Sequence, residues 1–354
     1  FSSRSRHTRL PTRSRGLGDV YKRQILLIAA LLATTAPVAA RSKMATGLAD
    51  PAGGGPALAD VKAAVWQKKV ETGKYPKMWA LWSKWGDRGG QSGCVKGYGS
   101  CYFPTEAVKW LHSKGIIPIV WWIPTQPGNW EAGKFERYKR VLWGKHDYYI
   151  KTWARQLKKV SQQTRKPVIV RWAHESGGTW FPWSVHNFDN TKKTYRKAHR
   201  YIVKKFKAVG ARKWTRFLWS QVAAEKDLFP GDDWIDYVGL TALNYGADRD
   251  NWKNPKDLID RKSAAAKKIS RKPLIIAESG SHYLGGDKAK WITDFYNRAW
   301  YKHPNIKGIV YLDTDHPHLA IGHPDWRFVK PDDGSALDAY KALQAKSRFR
   351  GTIK

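Results

Sequence analysis

Eight short apolar runs, separated by longer amphipathic stretches, constrain the fold of this chain more than any other feature. Regular alternation of buried strands with helices is typical of βα units around a parallel sheet. The chain of 354 residues is long enough for one eight-stranded barrel. The predicted strands are Met44–Ala49, Met78–Lys84, Ile117–Ile123, Val168–His174, Arg216–Ser220, Tyr237–Leu243, Leu274–Glu278 and Ile306–Leu312.

The segments between these predicted strands show the apolar periodicity of amphipathic helices. A doubly wound open sheet is the main alternative, but no G-x-G-x-x-G turn follows the first strand, and Gly53–Gly55 does not supply one. We therefore predict an α/β fold, a (β/α)8 TIM barrel forming a single domain over residues 41–348, with residues 349–354 as a basic tail. The predicted helices are Ala57–Thr72, Pro104–Ser113, Asp147–Thr164, Thr191–Val209, Pro255–Ile269, Asp287–Tyr301 and Ala336–Gln344.

The first forty residues divide into two segments. Residues 1–24 are polar, basic and aperiodic, and we interpret them as a non-native or artefactual segment outside the fold. Residues 25–40 are mostly apolar and end in Val38-Ala39-Ala40, which suits a signal peptide and its cleavage site. A membrane anchor is the competing interpretation, but a span needs roughly 20 apolar residues. We expect a secreted protein, extracellular or periplasmic, with no stable membrane anchor after cleavage.

The two cysteines, Cys94 and Cys101, lie close together in a segment rich in Gly and Ser. An exported chain meets an oxidising compartment, where such a pair favours a local disulfide. Two free thiols are the alternative, and two isolated cysteines are a weak metal site.

The chain is strongly basic, with a formal net charge of +35. Beyond residue 40 it still carries 57 basic and 28 acidic side chains. Such a field attracts polyanions in general. The segment Lys192–Lys213 concentrates cations on a predicted helix, for which a solvated outer face is the simplest interpretation. Since no nucleic-acid-binding motif is recognisable, we expect no specific nucleic-acid partner.

Two glutamates end predicted strands: Glu175 follows VIVRWAH, and Glu278 follows PLIIA. The carboxyl ends of barrel strands meet at one mouth, where active sites of this fold are built. Paired carboxylates there can cleave a glycosidic bond. A structural ion pair with Arg171 or a lysine is the alternative for either one. Because both close buried strands, where ionised groups are costly, we favour a functional pair.

Aromatic residues are abundant, with 20 tryptophans, many of them near predicted strand ends. Flat aromatic faces suit the apolar faces of sugar rings, although core filling is the alternative for any one of them. We predict substrate contacts from Trp122, Trp180, Trp183 and Trp326. His174 is a candidate hydrogen-bond donor to substrate or to a catalytic carboxylate, with a packed structural histidine as the alternative.

Four motifs mark the chain: HESGGTWFPW at 174–183, GDDWIDYVGL at 231–240, KPLIIAESG at 272–280 and DWRF at 325–328. Together they resemble glycoside hydrolase family 26, and the resemblance runs over nearly all of residues 43–346. Members of that family are typically endo-β-1,4-mannanases, with xylanases and mixed-linkage glucanases as minorities.

The resemblance implies a secreted retaining endo-β-glycanase acting on β-1,4-mannan-type polysaccharide by double displacement. In it Glu175 is the acid/base and Glu278 the nucleophile. His174, Trp180, Trp326 and Arg327 would line the sugar subsites. We expect a polysaccharide substrate as the partner, no cofactor, and a monomer.

Two positions depart from the family pattern. Gly177 stands where HE-x-N-G has its asparagine, and Thr241-Ala242-Leu243-Asn244 replaces Asp-Gly-Tyr-Asn. The tyrosine of that motif contacts the nucleophile in such enzymes, and Tyr245 could substitute from a shifted position. These departures leave open another cell-wall polysaccharide (xylan, β-glucan or an acidic polymer), or a non-catalytic carbohydrate-binding barrel.

A metal site is a further alternative, because Asp313, Asp315, His316 and His318 follow the last predicted strand. Their types suit zinc or calcium only loosely. Neighbouring residues at a barrel mouth more often bind sugar hydroxyls or one another, so we predict no metal.

Overall fold

A computed structural model describes residues 41–49, 57–85, 102–125, 137–246, 252–315, 324–329 and 334–353. The predicted artefactual segment 1–24, the signal peptide 25–40 and the Cys94–Cys101 disulfide lie outside these ranges. No helix within the ranges is long and apolar enough to span a lipid bilayer.

Eight parallel strands close into a barrel in sequence order, which confirms the predicted (β/α)8 fold. The last strand pairs with the first, for example through Thr46 and Ile309. The strands are β1 (Ala45–Ala49), β2 (Met78–Lys84), β3 (Ile117–Ile123), β4 (Val168–Trp172), β5 (Thr215–Gln221), β6 (Tyr237–Asn244), β7 (Leu274–Ser281) and β8 (Ile306–Leu312).

Within the described ranges, helices surround the barrel. Their bounds are close to the predicted ones. Tyr138–Leu142 was not predicted, because five residues are too few to show helical periodicity. The helices are α1 (Leu58–Thr72), α2 (Thr105–Ser113), α3 (Tyr138–Leu142), α4 (Asp147–Thr164), α5 (Lys192–Ala208), α6 (Pro255–Ile269), α7 (Lys288–Lys302) and α8 (Ser335–Ala345).

The apolar core has two layers, one inside the barrel and one between the sheet and the helices. On β3, Ile119 and Trp121 point inward, while Val120 and Trp122 pack against the helices. Parallel strands buried on both faces read as continuous apolar runs, which is why the strands could be found in the sequence. A continuous run, however, does not reveal which residues face inward.

Strand β7 contains a bulge at Ala277. Ile276 pairs with Leu240 on β6, but the next ladder pair joins Thr241 to Glu278, so β7 holds one extra residue. Ile276 lies in the outer layer and Ala277 in the inner one. Strict alternation would turn Glu278 outward, towards the helices. The bulge resets the alternation, so that Glu278 faces the barrel mouth.

The carboxyl-terminal segment is part of the fold, so the prediction of a basic tail over residues 349–354 is wrong for its described part. Phe349 is fully buried, and Ile353 belongs to the inner layer of the core. Gly351 N donates to Met44 O (3.0 Å). The sequence did not indicate this packing, because charged residues surround the two apolar side chains that anchor the segment beside β1.

We expect Phe349→Ala to destabilise the protein by about 3 kcal/mol, because a buried aromatic side chain leaves a cavity when it is truncated. Urea denaturation would measure the loss. Lys346→Ala, at an exposed site three residues earlier, is the control and should change stability by less than about 0.5 kcal/mol. Equal effects of the two substitutions would contradict the packing of this segment.

Candidate active site

Glu175 lies in a tight turn that directly follows β4. Both Ala173 (φ 44°) and Glu175 (φ 52°) adopt left-handed backbone conformations, which are unfavourable for residues other than glycine. Glu175 N donates to Ser220 O of β5 (3.0 Å), which fixes the turn. Strained backbone of this kind collects at functional sites, where the surrounding structure imposes it.

The Glu175 carboxyl is almost fully buried, with 7% of the residue exposed. Thr241 Oγ1 donates to its Oε1 (2.9 Å), and Trp180 Nε1 donates to its Oε2 (3.1 Å). Each carboxyl oxygen therefore has one donor, and the side chain has a single defined orientation.

Glu278 pairs with Arg171, a fully buried cation on β4. Arg171 Nη1 donates to Glu278 Oε1, and its Nη2 donates to Ser220 Oγ (3.0 Å). The guanidinium also lies over the Trp121 ring, 4.7 Å from its centroid. The ion pair with Arg171 that the sequence left open is thus present at Glu278. No described residue donates to Oε2 of Glu278, so that oxygen is left for other chemistry.

The two carboxyl groups converge although β4 and β7 are three strands apart around the barrel. Thr241 on β6 is the ladder partner of Glu278 on β7, and its hydroxyl contacts Glu175. Adjacent strands lie about 4.8 Å apart, so a single strand spacing separates Glu278 from the residue that holds Glu175.

Burial, followed by the negative charge of Glu278, raises the pKa of Glu175 from 4.5 to about 7. Arg171 and the donors Thr241 and Trp180 oppose this increase, because they favour the ionised form. The site therefore holds one carboxyl that is readily protonated near neutral pH and one that faces a guanidinium.

His174 is buried in an aromatic cage at the barrel mouth. Its ring centroid lies 4.9 Å from Phe181, 5.4 Å from Trp183 and 5.7 Å from Trp121. Burial, assisted by the charge of Arg171, lowers its pKa well below the usual value. Its Nδ1 has no hydrogen-bond partner among the described residues. The neutral ring is packed as the structural alternative expects, and its unpaired Nδ1 is buried with it.

Two of the predicted substrate contacts are wrong. Trp122 points out of the barrel and stacks on Trp153 of α4, with ring centroids 4.4 Å apart. Alternation along β3 gives the inward position to Trp121 instead. Trp183 is also fully buried, stacked under Phe181 and donating to His174 O (2.7 Å). Neither indole has a free face for a sugar ring.

The other predicted contacts differ in how accessible they are. Trp180 has 56% of its surface exposed, and Tyr245 is half-buried after β6. Trp326 is buried beside Tyr245 (centroids 5.6 Å apart) and donates to Asn244 O (3.2 Å). Arg327 is held by two carboxylates, Asp325 (2.6 Å) and Asp315 (3.1 Å).

The candidate metal ligands that the structure describes do not come together in one site. Asp313 is buried against Lys68 of α1 (2.7 Å), and Asp315 binds Arg327, while His316 and His318 lie outside the described ranges. Among the described residues, no three His, Cys, Asp or Glu side chains group as metal ligands.

The Gly177 departure lies in a closely packed part of the turn. A Cβ atom at Gly177 would lie 2.8 Å from Leu228 Cδ1 and 3.0 Å from Glu225 Oε1. Residues following β5 thus occupy the space that an asparagine side chain would need. Gly177 N instead donates to Gln221 Oε1 (3.1 Å), which belongs to the end of β5.

Sequence reasoning missed part of the site. Thr241 was considered only as a departure from a motif, and Arg171 only as a competing ion-pair partner. One signal was available for Arg171: it is the one charged residue in the apolar run VIVRW, where a charge needs a partner. No local signal identifies Thr241 as a donor to Glu175.

An eight-stranded barrel with two carboxyl groups of unlike environment at its carboxyl mouth defines the class of glycoside hydrolase barrels. The sequence profile described as "Glycosyl hydrolase family 26" matches residues 105–315. The chain therefore belongs to glycosyl hydrolase family 26, as its motifs indicated.

Three similar proteins are informative. Endoglucanase H of Acetivibrio thermocellus is 29% identical over 245 residues, covering 65% of this chain and 24% of that protein. A β-1,3-xylanase of an Alcaligenes species is 31% identical over 199 residues, covering 47% of this chain and 37% of that protein. The chain thus spans well under half the length of these relatives.

The third is a solved structure, the catalytic domain of an endo-β-1,4-mannanase of this family from Bacillus sp. JAMB-750. It superposes with a TM-score of 0.59 at 17% identity, covering 87% of each chain. At that identity the likeness establishes the shared fold.

We expect Glu175→Gln to stabilise the protein progressively more as the pH rises from about 4.5 to above 7. The pKa of Glu175 rises from 4.5 to about 7 on folding, so the folded state binds the extra proton. The proton on Glu175 therefore stabilises the parent protein fully below pH 4.5. This contribution, up to about 3 kcal/mol, is lost as the pH rises through 7, whereas the Gln variant has no such contribution to lose.

Urea denaturation of both proteins at pH 4.5 and pH 8 measures this difference. Glu106→Gln, on the exposed side of α2, is the control. A Glu175→Gln effect that is equal at both pH values would show that the carboxyl is not desolvated as described.

Proposed function

We propose that this protein is a secreted retaining endo-β-glycanase that hydrolyses β-1,4-mannan-type polysaccharide. One observation carries the proposal: a buried carboxyl with a pKa of about 7, Glu175, faces the Arg171-bound carboxylate of Glu278 across the barrel mouth. Two carboxyl groups whose environments separate their protonation states are what an acid/base and a nucleophile require.

Glu175 acts first as the general acid. Protonated near neutral pH, it donates its proton to the glycosidic oxygen as the bond to the anomeric carbon breaks. Trp180 and Thr241 hold the carboxyl, so its orientation does not depend on bound substrate.

Glu278 acts as the nucleophile. Arg171 holds its Oε1, and Oε2 attacks the anomeric carbon to form a glycosyl-enzyme ester. Glu175, now ionised, removes a proton from water, which attacks the same carbon and releases Glu278. Direct attack needs carboxyl groups about 5–5.5 Å apart. Thr241, the ladder partner of Glu278, binds the Glu175 carboxyl, and the charge of Glu278 acts on that carboxyl, which supports a close approach of the two groups.

Substrate contacts are proposed for exposed groups at the mouth. Trp180 offers an open ring face while its N–H binds the acid/base, so a sugar stacked there would lie beside the bond to be cleaved. Tyr245, half-buried after β6, is the proposed polar contact, while His174 lies buried in its aromatic cage.

Mannan is proposed as the substrate from the family motifs and from the shared fold with an endo-β-1,4-mannanase. The named activities of the curated relatives make β-glucan and xylan the second candidates. Since Gly177 replaces the usual asparagine, substrate preference is the part of the proposal most open to test. Initial rates on mannan, mixed-linkage β-glucan, β-1,4-xylan and β-1,3-xylan decide it.

A non-catalytic carbohydrate-binding barrel is a less favoured function. Binding alone has no use for a carboxyl with a raised pKa next to an Arg-bound carboxylate, because burying both charges is costly. If the protein binds mannan oligosaccharide but cleaves none of the four polymers, that function replaces ours.

Export, a monomeric state and the Cys94–Cys101 disulfide belong to the same proposal. The apolar segment 25–40 with its small-residue end supports export, and an oxidising compartment would allow the disulfide. Mass spectrometry of the protein from the culture medium would give the mature amino terminus and the cysteine state together.

Two variants separate the roles of the glutamates. Glu175→Gln should lower the rate on mannan by about 10²–10⁴-fold. It should lose far less on aryl glycosides whose leaving group needs no proton. Glu278→Gln should be inactive on both substrates, because an uncharged amide replaces the attacking carboxylate. If Glu278→Gln retains activity with activated substrates, the assignment of the nucleophile is wrong.

The stereochemistry of hydrolysis gives an independent result. Two displacements at the anomeric carbon retain its configuration, so the first product should be the β-anomer. Proton NMR during the first minutes of hydrolysis distinguishes it from the α-anomer. An initial α-anomer would indicate a single displacement by water and a wider carboxyl separation.

A further inference from the structure

Helix α5 carries an unbalanced positive charge on its outer face. Five cations, all exposed, recur at alternating intervals of four and three residues: Lys193, Lys197, Arg200, Lys204 and Lys207. Residues at this spacing share one face of a helix. They form a row, here called the basic ridge, about 21 Å long at a rise of about 1.5 Å per residue.

Helix α5 differs from its neighbours in having no acidic residue. The other helices of eight or more residues described above each contain at least one Asp or Glu. Carboxylates near α5 instead pair with cations beside the ridge: Glu225 with Lys192, and Asp147 with Lys205. Among the described residues, no carboxylate pairs with a member of the basic ridge.

Helix stability does not account for this arrangement. Like charges three and four residues apart on a helix repel one another. The helix dipole favours cations in the last turn, which could explain Lys207 but disfavours Lys193 and Lys197 at the amino-terminal end. The first turn of α5 has no acidic residue to compensate them.

The basic ridge continues into a groove beyond the end of α5. The groove encloses about 400 Å³ and is lined by Lys158, Gln162, Lys207, Gly210, Arg212 and Lys213. No carboxylate lines it, although Asp236 pairs with Arg212 of the lining (3.0 Å), and Lys207 belongs to both features. Aromatic rings accompany the cations here, with Lys207 Nζ 5.2 Å from the centroid of Trp234 and Lys213 Nζ 5.6 Å from that of Trp214.

We propose that the basic ridge and its groove bind a linear acidic polysaccharide carrying a carboxylate on each sugar. The ridge presents about one cation per helical turn, roughly 5.4 Å apart. That interval is close to the repeat of one pyranose ring in an extended chain. The half-buried rings of Trp214 and Trp234 offer apolar surface that suits sugar rings.

This surface is separate from the carboxylate site. Helix α5 lies on the outside of the barrel, and the groove is formed by the segment that enters β5, at the amino end of the strands. The active site of such a barrel lies at the opposite end. A polyuronate held on the ridge would keep the protein in a mixed polysaccharide matrix while the mouth stays free, raising the local concentration of cleavable chains.

The choice of a polysaccharide over a nucleic acid rests on the proposed function, since both polyanions would respond to the charge. The test therefore measures binding without hydrolysis. The variant Lys193→Gln/Lys197→Gln/Lys204→Gln/Lys207→Gln removes four ridge charges. Its matched control, Lys62→Gln/Lys109→Gln/Lys256→Gln/Lys267→Gln, removes four exposed lysines from other helices and gives the same net charge.

Isothermal titration of the full chain with polygalacturonate oligomers gives the affinity at several salt concentrations. We expect the ridge variant to lose roughly tenfold or more and the control to stay within roughly twofold. The slope of log K against log salt should fall by roughly one for each ridge lysine removed. Circular dichroism and initial rates on neutral mannan should match the parent for both variants.

Three results would overturn the proposal. Equal losses in the ridge variant and the control would mean that net charge alone attracts the polymer. Parent-like binding by the ridge variant would place the polymer elsewhere. Tighter binding of single-stranded DNA of equal length would identify a nucleic acid as the ligand. Failure of the parent to cleave mannan would refute the proposed function and leave this binding result interpretable.

Discussion

A buried guanidinium organises this barrel mouth. Arg171 lies inside the barrel with no exposed surface, and an isolated charge there would be prohibitively costly. Three different strands compensate the charge, through Glu278 of β7, Ser220 of β5 and the ring of Trp121 on β3, while its Nε has no partner among the described residues. Removing any one of these partners would leave the cation less compensated. Compensation of the Arg171 charge therefore holds these strands in position relative to one another. Their relative placement decides whether the two carboxyl groups can act on one bond.

The same cation helps to make two chemically similar residues different. Glu278 touches the guanidinium, whereas Glu175 is surrounded by buried surface and held by two neutral donors, with a raised pKa. Acid and nucleophile chemistry need this asymmetry, and it comes from desolvation at one position and ion pairing at the other. The strained turn at Glu175 places it where water is scarce, so backbone conformation and protonation are linked.

The sequence predicted the barrel well, because strands buried on both faces must be apolar throughout and helices must be amphipathic. It also identified Glu175 and Glu278, which interrupt such runs. It failed where side-chain direction mattered: Trp122 was chosen, although alternation gives Trp121 the inward position. It also took the carboxyl-terminal segment for a tail, because one buried Phe349 among charges shows no period. Direction and long-range packing depend on register, which no local pattern encodes.

The bulge at Ala277 has a consequence for how such a site can change over time. Because the bulge lets Ala277 and Glu278 face the same side of the strand, the direction of the nucleophile depends on how β7 pairs with β6 as well as on the identity of one side chain. Deleting Ala277 would join Glu278 directly to the outward-facing Ile276 and leave it opposite Thr241, still facing inward. Taking Ala277 into the regular ladder would instead turn Glu278 towards the helices. In evolution this strand could therefore lose its extra residue and keep the direction of the nucleophile, whereas it could not straighten around that residue without losing that direction.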